Sequence, residues 1–94
     1  MQAFIYIRDN AEMPIYEQFN KCFAFAKRHG YFISGKVLDF DGKHFHEAVN
    51  KVIANNEISA LLIYSKETAF NDYEETIFYR VYLEKLGKKL IACE

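Results

Sequence analysis

Tryptophan is absent from this chain, proline occurs once, cysteine twice and glycine four times. The two cysteines, Cys22 and Cys93, are too few for a disulfide framework and lack metal-finger spacing. A reducing, cytoplasmic setting is the expectation that follows. None of the loops is rich in glycine, so neither a phosphate-cradling P-loop nor a dinucleotide fingerprint is present. Linkers, internal repeats and low-complexity stretches are missing too. No apolar run reaches the length of a membrane span, and Met1 to Ile7 lacks the basic start of a signal peptide. Positive charge is not in surplus, because twelve Lys and Arg face thirteen Asp and Glu for a net charge of -1. Counterion release needs clustered cations, which argues against a strongly basic nucleic-acid module.

What the chain does contain is apolar surface. It is 51% hydrophobic and 27% charged, the composition of a soluble globular chain. Ninety-four residues suit one small domain, residues 1–94. Sixteen aromatics, nine Phe and seven Tyr, are more than so small a domain easily hides.

The pattern alternates between strand and helix. Gln2 to Ile7 is a short β-rich run. Pro14 suits the first position of a helix on which Ile15, Phe19, Cys22, Phe23 and Ala26 recur at helical spacing, with Gly30 as the stop. Tyr31 to Leu38 reads as a second strand with a bulge at Gly35, and Asp39 to Gly42 as a turn. Phe45, Ala48, Val49, Val52 and Ile53 stripe a second helix ended by Asn55-Asn56. Ile58 to Tyr64 is nearly all apolar, as in a central strand covered on both faces. Asn71 and Glu74 look like the cap of a third helix whose stripe is Tyr73, Ile77, Val81 and Leu86, ended by Gly87. Lys89 to Ala92 is a last strand.

The order βαβαβαβ with right-handed crossovers predicts an α/β three-layer sandwich around a mostly parallel four-stranded sheet. Ligands then belong beyond the carboxyl ends of the strands, where Arg8 to Met13, Asp39 to Lys43 and Ser65 to Asn71 converge. Arg8 is expected there either as a phosphate ligand or paired with Asp39 or Glu67. Asp39, Asp41, His44 and His46 have the chemistry of metal ligands, but His44 and His46 are two apart on a predicted helix and do not face each other. Ordinary surface histidines and no metal site are the expectation. Cys22 belongs to the core stripe, and Cys93 is read as exposed near the terminus.

The loop residues carry a resemblance. "FIYIRDN" resembles the Tyr-x-Arg-x-Ser start of the serine recombinase (resolvase/invertase) catalytic domain, with Tyr6 and Arg8 on its Tyr and Arg. "EQFNKCFAFAKRHGY" resembles the Gln-opened, glycine-stopped first helix, with Gln18 on the Gln. In "VLDFDGK" Asp39 falls on the strand-ending Asp and Lys43 near the following Arg, and "IYSKETAFND" falls where the family writes Asp-Arg-Leu-x-Arg. The resemblance covers essentially the whole chain and rests on order and spacing.

It implies a resolvase-like fold and DNA recombination through a seryl-phosphate, without metal or cofactor. The departures imply that this chemistry is lost. Asn10 stands at the serine, Thr68 and Asn71 at the two Arg positions, Glu67 at the Asp and Lys43 near another Arg. An amide is no nucleophile, and Ser65 or Thr68 would have to act from the wrong loop without a base. Lost arginines remove bidentate phosphate clamps, for which lysine is only a point charge. The family's long helix beyond the last strand, which makes the dimer and touches DNA, is not matched, so the resemblance is to the core alone.

The expected function is therefore that of a pseudoenzyme, catalytically inactive, serving as a protein-interaction or regulatory module without a membrane role. Its partner would be a protein or a second copy, with Phe78, Tyr79 and Tyr82 as interface candidates. The alternative is a residual DNA-binding or recombinase domain contacting phosphate through Arg8 and Lys43, with weak affinity given the charge balance.

Overall fold

The computed structural model describes residues 1–94. Four strands, β1 (Gln2–Arg8), β2 (Phe32–Asp39), β3 (Ile58–Ile63) and β4 (Lys89–Ala92), alternate with helices α1 (Ile15–Arg28), α2 (Phe45–Ala54), α3 (Lys66–Ala69) and α4 (Tyr73–Lys85). The strands lie in the order β2-β1-β3-β4, and every pairing is parallel. The chain steps one way from β1 to β2 and the other way from β2 to β3. Right-handed crossovers therefore send α1 to one face and α2 to the opposite one. Step by step this is the three-layer α/β sandwich expected from the sequence, with Ile58–Ile63 as an interior strand.

Period-two alternation divides the core between the faces. Ala3, Ile5 and Ile7 of β1 join Ala60, Leu62, Cys22 and Ala26 under α1. Phe4, Tyr6, Leu61 and Ile63 turn the other way, to Phe45, Ala48, Val49 and Val52 of α2 and Leu83 of α4. Because β1 and β3 are buried on both sides, neither shows a polar face, which is why each reads as a continuous apolar run. The bulge expected at Gly35 is present: Ala3 pairs with Ile33 and Phe4 with Gly35, so Ser34 is skipped. A Cβ on Gly35 would lie 2.7 Å from the Phe4 ring. Glycine is required there by contact with a neighbour.

The helices depart from expectation in five places. Pro14 precedes α1 as its flanking residue, and its carbonyl accepts from the N–H groups of Glu17 and Gln18. The buried stripe of α1 is Gln18, Cys22 and Ala26, while Phe23 is exposed. The Ser65 to Asn71 loop holds the one-turn helix α3. The cap of α4 is Asp72, which accepts from the Glu75 N–H at 2.9 Å; Asn71 instead donates its own N–H to the Glu75 carboxylate.

The largest correction concerns the face of α4. Tyr73, Ile77, Val81 and Leu86 are all exposed, and Thr76 and Leu83 are the buried positions. Apolar side chains occur nearly all round this helix, so periodicity alone offered more than one core face. The Phe45 and Phe70 rings decide it by receiving Tyr79, at centroid distances of 4.7 and 5.9 Å.

Candidate functional site

The carboxyl ends of β1, β2 and β3 bring the three expected loops together. Tyr6 and Asp39 occupy their floor, both buried. The Tyr6 hydroxyl donates to Asp39 Oδ2 at 2.5 Å. The N–H of His44 donates to the same oxygen at 2.9 Å, and the N–H groups of Gly42 and Asp41 donate to Oδ1 at 2.8 and 3.3 Å. Burial alone would raise the pKa of Asp39. The Tyr6 hydroxyl and the backbone amides outweigh it and hold the carboxyl at about 2, below its ordinary value of 3.8. Tyr6 is pushed the other way, well above the ordinary phenol range, by burial first and then by its bond to the Asp39 carboxylate. The pair is a fixed anion with a neutral hydroxyl resting on it.

Arg8 lies half-buried above this floor, at the end of β1. Its guanidinium donates to Asn71 Oδ1 at 2.6 Å, which ties β1 to the segment between α3 and α4. The expected ion pair with Asp39 or Glu67 does not form, because the ion pairs present all belong to His44. The Asp39 oxygens are taken by the amides and Tyr6, so the arginine is left with a neutral amide partner.

Gly42 makes room for it. A Cβ there would lie 2.1 Å from an Arg8 terminal nitrogen, and the residue has φ +74. Gly42→Ala is expected to cost about 2 kcal/mol, from left-handed backbone strain plus displacement of the guanidinium. Urea denaturation checks the loss, and an unchanged midpoint would show that the arginine yields freely.

No protein-family model matches the sequence, and no curated protein matches it. Solved structures do. A resolvase family site-specific recombinase from Streptococcus pneumoniae superposes with a TM-score of 0.86 at 15% identity, over 99% of this chain and 72% of that one. The N-terminal catalytic domain of TP901-1 integrase matches at 0.82 and 19% identity, over 99% and 77%. The C-terminal catalytic domain of ISC1926 TnpA, an IS607-like serine recombinase, matches at 0.77 and 19%, over 100% and 70%. This chain has the serine recombinase catalytic fold.

Within the resolvase-like fold the other candidate residues separate by what their side chains do. Gln18 is buried and donates through Nε2 to the carbonyls of Arg8 and Met13, at 2.7 and 2.8 Å. It fastens α1 to the loop that follows β1. Asn10 closes a turn in that loop, its Oδ1 accepting from the Glu12 N–H at 2.8 Å. Thr68 and Ser65 bond to each other: Ser65 Oγ accepts from the Thr68 N–H, and Thr68 Oγ1 accepts from the Ser65 N–H. Lys43 is exposed and bonds only through its backbone N–H, to Asp41 Oδ1. Glu67 is exposed on the rim of a groove of 490 Å³ shared with Lys66, Phe70, Asn71 and Tyr73.

Oxygens of Asp39 and Asp41 and a nitrogen of His44 approach within 4.8 Å of one another. As a metal site the arrangement is poor, since both Asp39 oxygens already accept from four donors. His44 is clasped on its other nitrogen by Glu47, and that hydrogen bond, with the nearby Asp41 carboxylate, raises its pKa. His46 stacks beside His44 at 6.4 Å and is not part of the cluster.

The three aromatic interface candidates divide. Phe78 and Tyr82 are exposed and stacked on each other at 6.0 Å. Tyr79 turns inward onto Phe45 and Phe70, so of the three interface candidates it does not belong to the outer face. Sequence reasoning missed Gly42 as a partner of Arg8. The signal was the Asp39-Phe40-Asp41-Gly42 turn, whose glycine was read as a turn residue alone. No helix is long and apolar enough to cross a membrane.

Proposed function

We propose that this chain is a catalytically inactive serine-recombinase-like domain that acts as a protein-interaction or regulatory module. The observation that carries the reading is the side chain at the family's serine position. Asn10 offers a carboxamide there, already used in a local turn. The hydroxyls of the third loop, on Ser65 and Thr68, are bound to each other, with no base hydrogen-bonded to either. Arg8 alone supplies the planar charge that phosphoryl transfer needs several times over. The interaction role is supported by the outer face of α4, where Ile77, Phe78, Val81 and Tyr82 are exposed side by side; exposed apolar patches rich in aromatics favour association.

Supercoiled DNA incubated with the protein is expected to remain unnicked and free of covalent adduct. Asn10→Ser alone should leave it so, because the transition state is still under-stabilised. A covalent adduct mapped to any hydroxyl of the unmodified chain overturns the reading. For the interaction role, Phe78→Ser with Tyr82→Ser should shift the protein toward monomer or abolish capture of its partner. Unchanged mass by light scattering over a wide concentration range, with capture intact, counts against it.

A second reading has one observation in its favour. Arg8 is half-buried with no carboxylate within ion-pair distance, as suits a residual phosphate contact with Lys43 nearby. DNA binding by this route must weaken steeply as salt is raised. Fluorescence anisotropy across a salt series separates it from the first reading.

A further inference from the structure

The two edges of the sheet are unlike. β4 is the shorter, and beyond it Cys93 continues the ladder by donating its N–H to the Ile63 carbonyl at 2.8 Å. Alternation turns Cys93 under α1, where it is buried, rather than outward as the sequence suggested. β2 is twice as long, and β1 is its only partner. The Asp39 carbonyl accepts from the Asp9 N–H and so faces β1. Alternation back along the strand turns the backbone groups of Lys36 and Leu38 the other way, to solvent. Long open edges are ordinarily guarded by proline or by a lysine standing over them. β2 has no proline, and its one lysine, Lys36, is drawn aside to lie 5.6 Å from the Phe19 ring of α1.

Charge divides along this edge. Toward its start, Lys51 of α2 shares a groove with Gly35 and Lys36, and Lys27 of α1 shares another with Phe23 and Phe32. Toward its end, Asp41 and Glu47 share a third with Leu38 and Phe40. His44 sits between these two carboxylates and is outnumbered by them. Phe32 and Phe40, one at each end, are both 68% exposed.

We propose that β2 pairs antiparallel with β2 of a second copy of this chain, joining the two four-stranded sheets into one. The charge pattern selects this occupant, because a two-fold axis through the edge sets the lysine end of each copy against the carboxylate end of the other. Regular alternation begins only after the bulge at Ser34, which puts the axis near Val37 and sets Lys36 of each copy opposite Leu38 of the other. Their outward N–H and C=O groups then bond in pairs. Leu38 covers the Lys36 stem, and Phe40 is carried toward the apolar groove of Phe23 and Phe32 in the other copy. On the α2 side, Glu47 of each copy comes level with Lys51 of the other. α4 packs on β4, at the opposite edge, so this surface is separate from the face of Phe78 and Tyr82 and does not depend on it.

The test is run on the full chain carrying Phe78→Ser and Tyr82→Ser, which removes association through α4. Sedimentation across a wide concentration range should show monomer giving way to dimer. Hydrogen exchange should find the amides of Lys36 and Leu38 protected in the dimer and open in the monomer. Lys51→Glu and Glu47→Lys, each added separately, should weaken dimerisation about tenfold. An equimolar mixture of the two should recover it as a heterodimer, since opposite charges then face each other at both contacts. The proposal is overturned by a chain that stays monomeric, whether or not a strand of another protein occupies the edge. A dimer whose Lys36 and Leu38 amides still exchange freely overturns it too, as do charge variants that dimerise unchanged or fail to recover on mixing.

Discussion

Asp39→Ala is expected to remove about 4 kcal/mol of stability, close to the limit of what a small domain tolerates. Four donors would lose their acceptor at once: the Tyr6 hydroxyl and the N–H groups of Asp41, Gly42 and His44. The loop that carries Gly42 is folded around that carboxylate, so Arg8 should lose its seat as well. Asp39→Asn keeps one acceptor oxygen and should cost about half as much. The same anion sets an acid limit. Its folded pKa is depressed from 3.8 to about 2, so its contribution is complete above about pH 4 and lost as pH falls toward 2. Tyr6 has the opposite sign: its folded pKa is raised, so its contribution is complete below the ordinary value of 10 and fades as pH rises above it. Urea denaturation between pH 2 and 7 checks the acid limb. A flat profile, or an unchanged midpoint in Asp39→Ala, would show that the amides and Tyr6 find other partners.

Phe45→Ala should be comparably severe, at about 4 kcal/mol for a buried aromatic replaced by a methyl group. Three rings lean on this one: Tyr6, Phe70 and Tyr79 each stand edge-on to it at 4.7 Å. The cavity would open under the pocket floor and beneath α4 together. Phe45→Leu should lose less than half as much, because most of the volume remains. Denaturation midpoints measure both variants. Near-ultraviolet circular dichroism should lose its tyrosine fine structure in the alanine variant, and an intact signal would mean that the rings hold one another without Phe45.

The fold was more legible in the sequence than the site was, for definite reasons. Ile58 to Ile63 announced a doubly covered strand because all but one of its side chains are apolar, and Ala48, Val49 and Val52 admitted only one helix face. On α4 the same reasoning failed, since Ile77, Phe78, Val81 and Tyr82 mark an outer face as apolar as an inner one. Thr76, polar by composition, is buried there. Arg8 and Asp39 were recognisable by their place at the strand ends, and Tyr6 by the resemblance of the opening strand. Their actual partners were not, because Gly42 reaches Arg8 only after the first crossover has been made and Asn71 only after the second. Cys93 was misjudged by its place near the last residue, whereas its environment is set by β4 continuing one residue further along Ile63. Asn71 was taken for a helix cap, and one residue of displacement freed it to hold the arginine.

The strand order has a consequence for how the chain assembles in time. β1 is the first strand synthesised and lies between β2 and β3, with Gln2 beside Phe32 on one edge and beside Ile58 on the other. Nothing in the sheet is a hairpin, so no two strands can pair before an intervening helix-bearing segment has been gathered up. Each closure costs chain entropy before its contacts are returned. A chain made only as far as β2 holds an apolar strand with one edge open and one face bare. The sheet can therefore close only when β3 arrives to cover the second edge of β1.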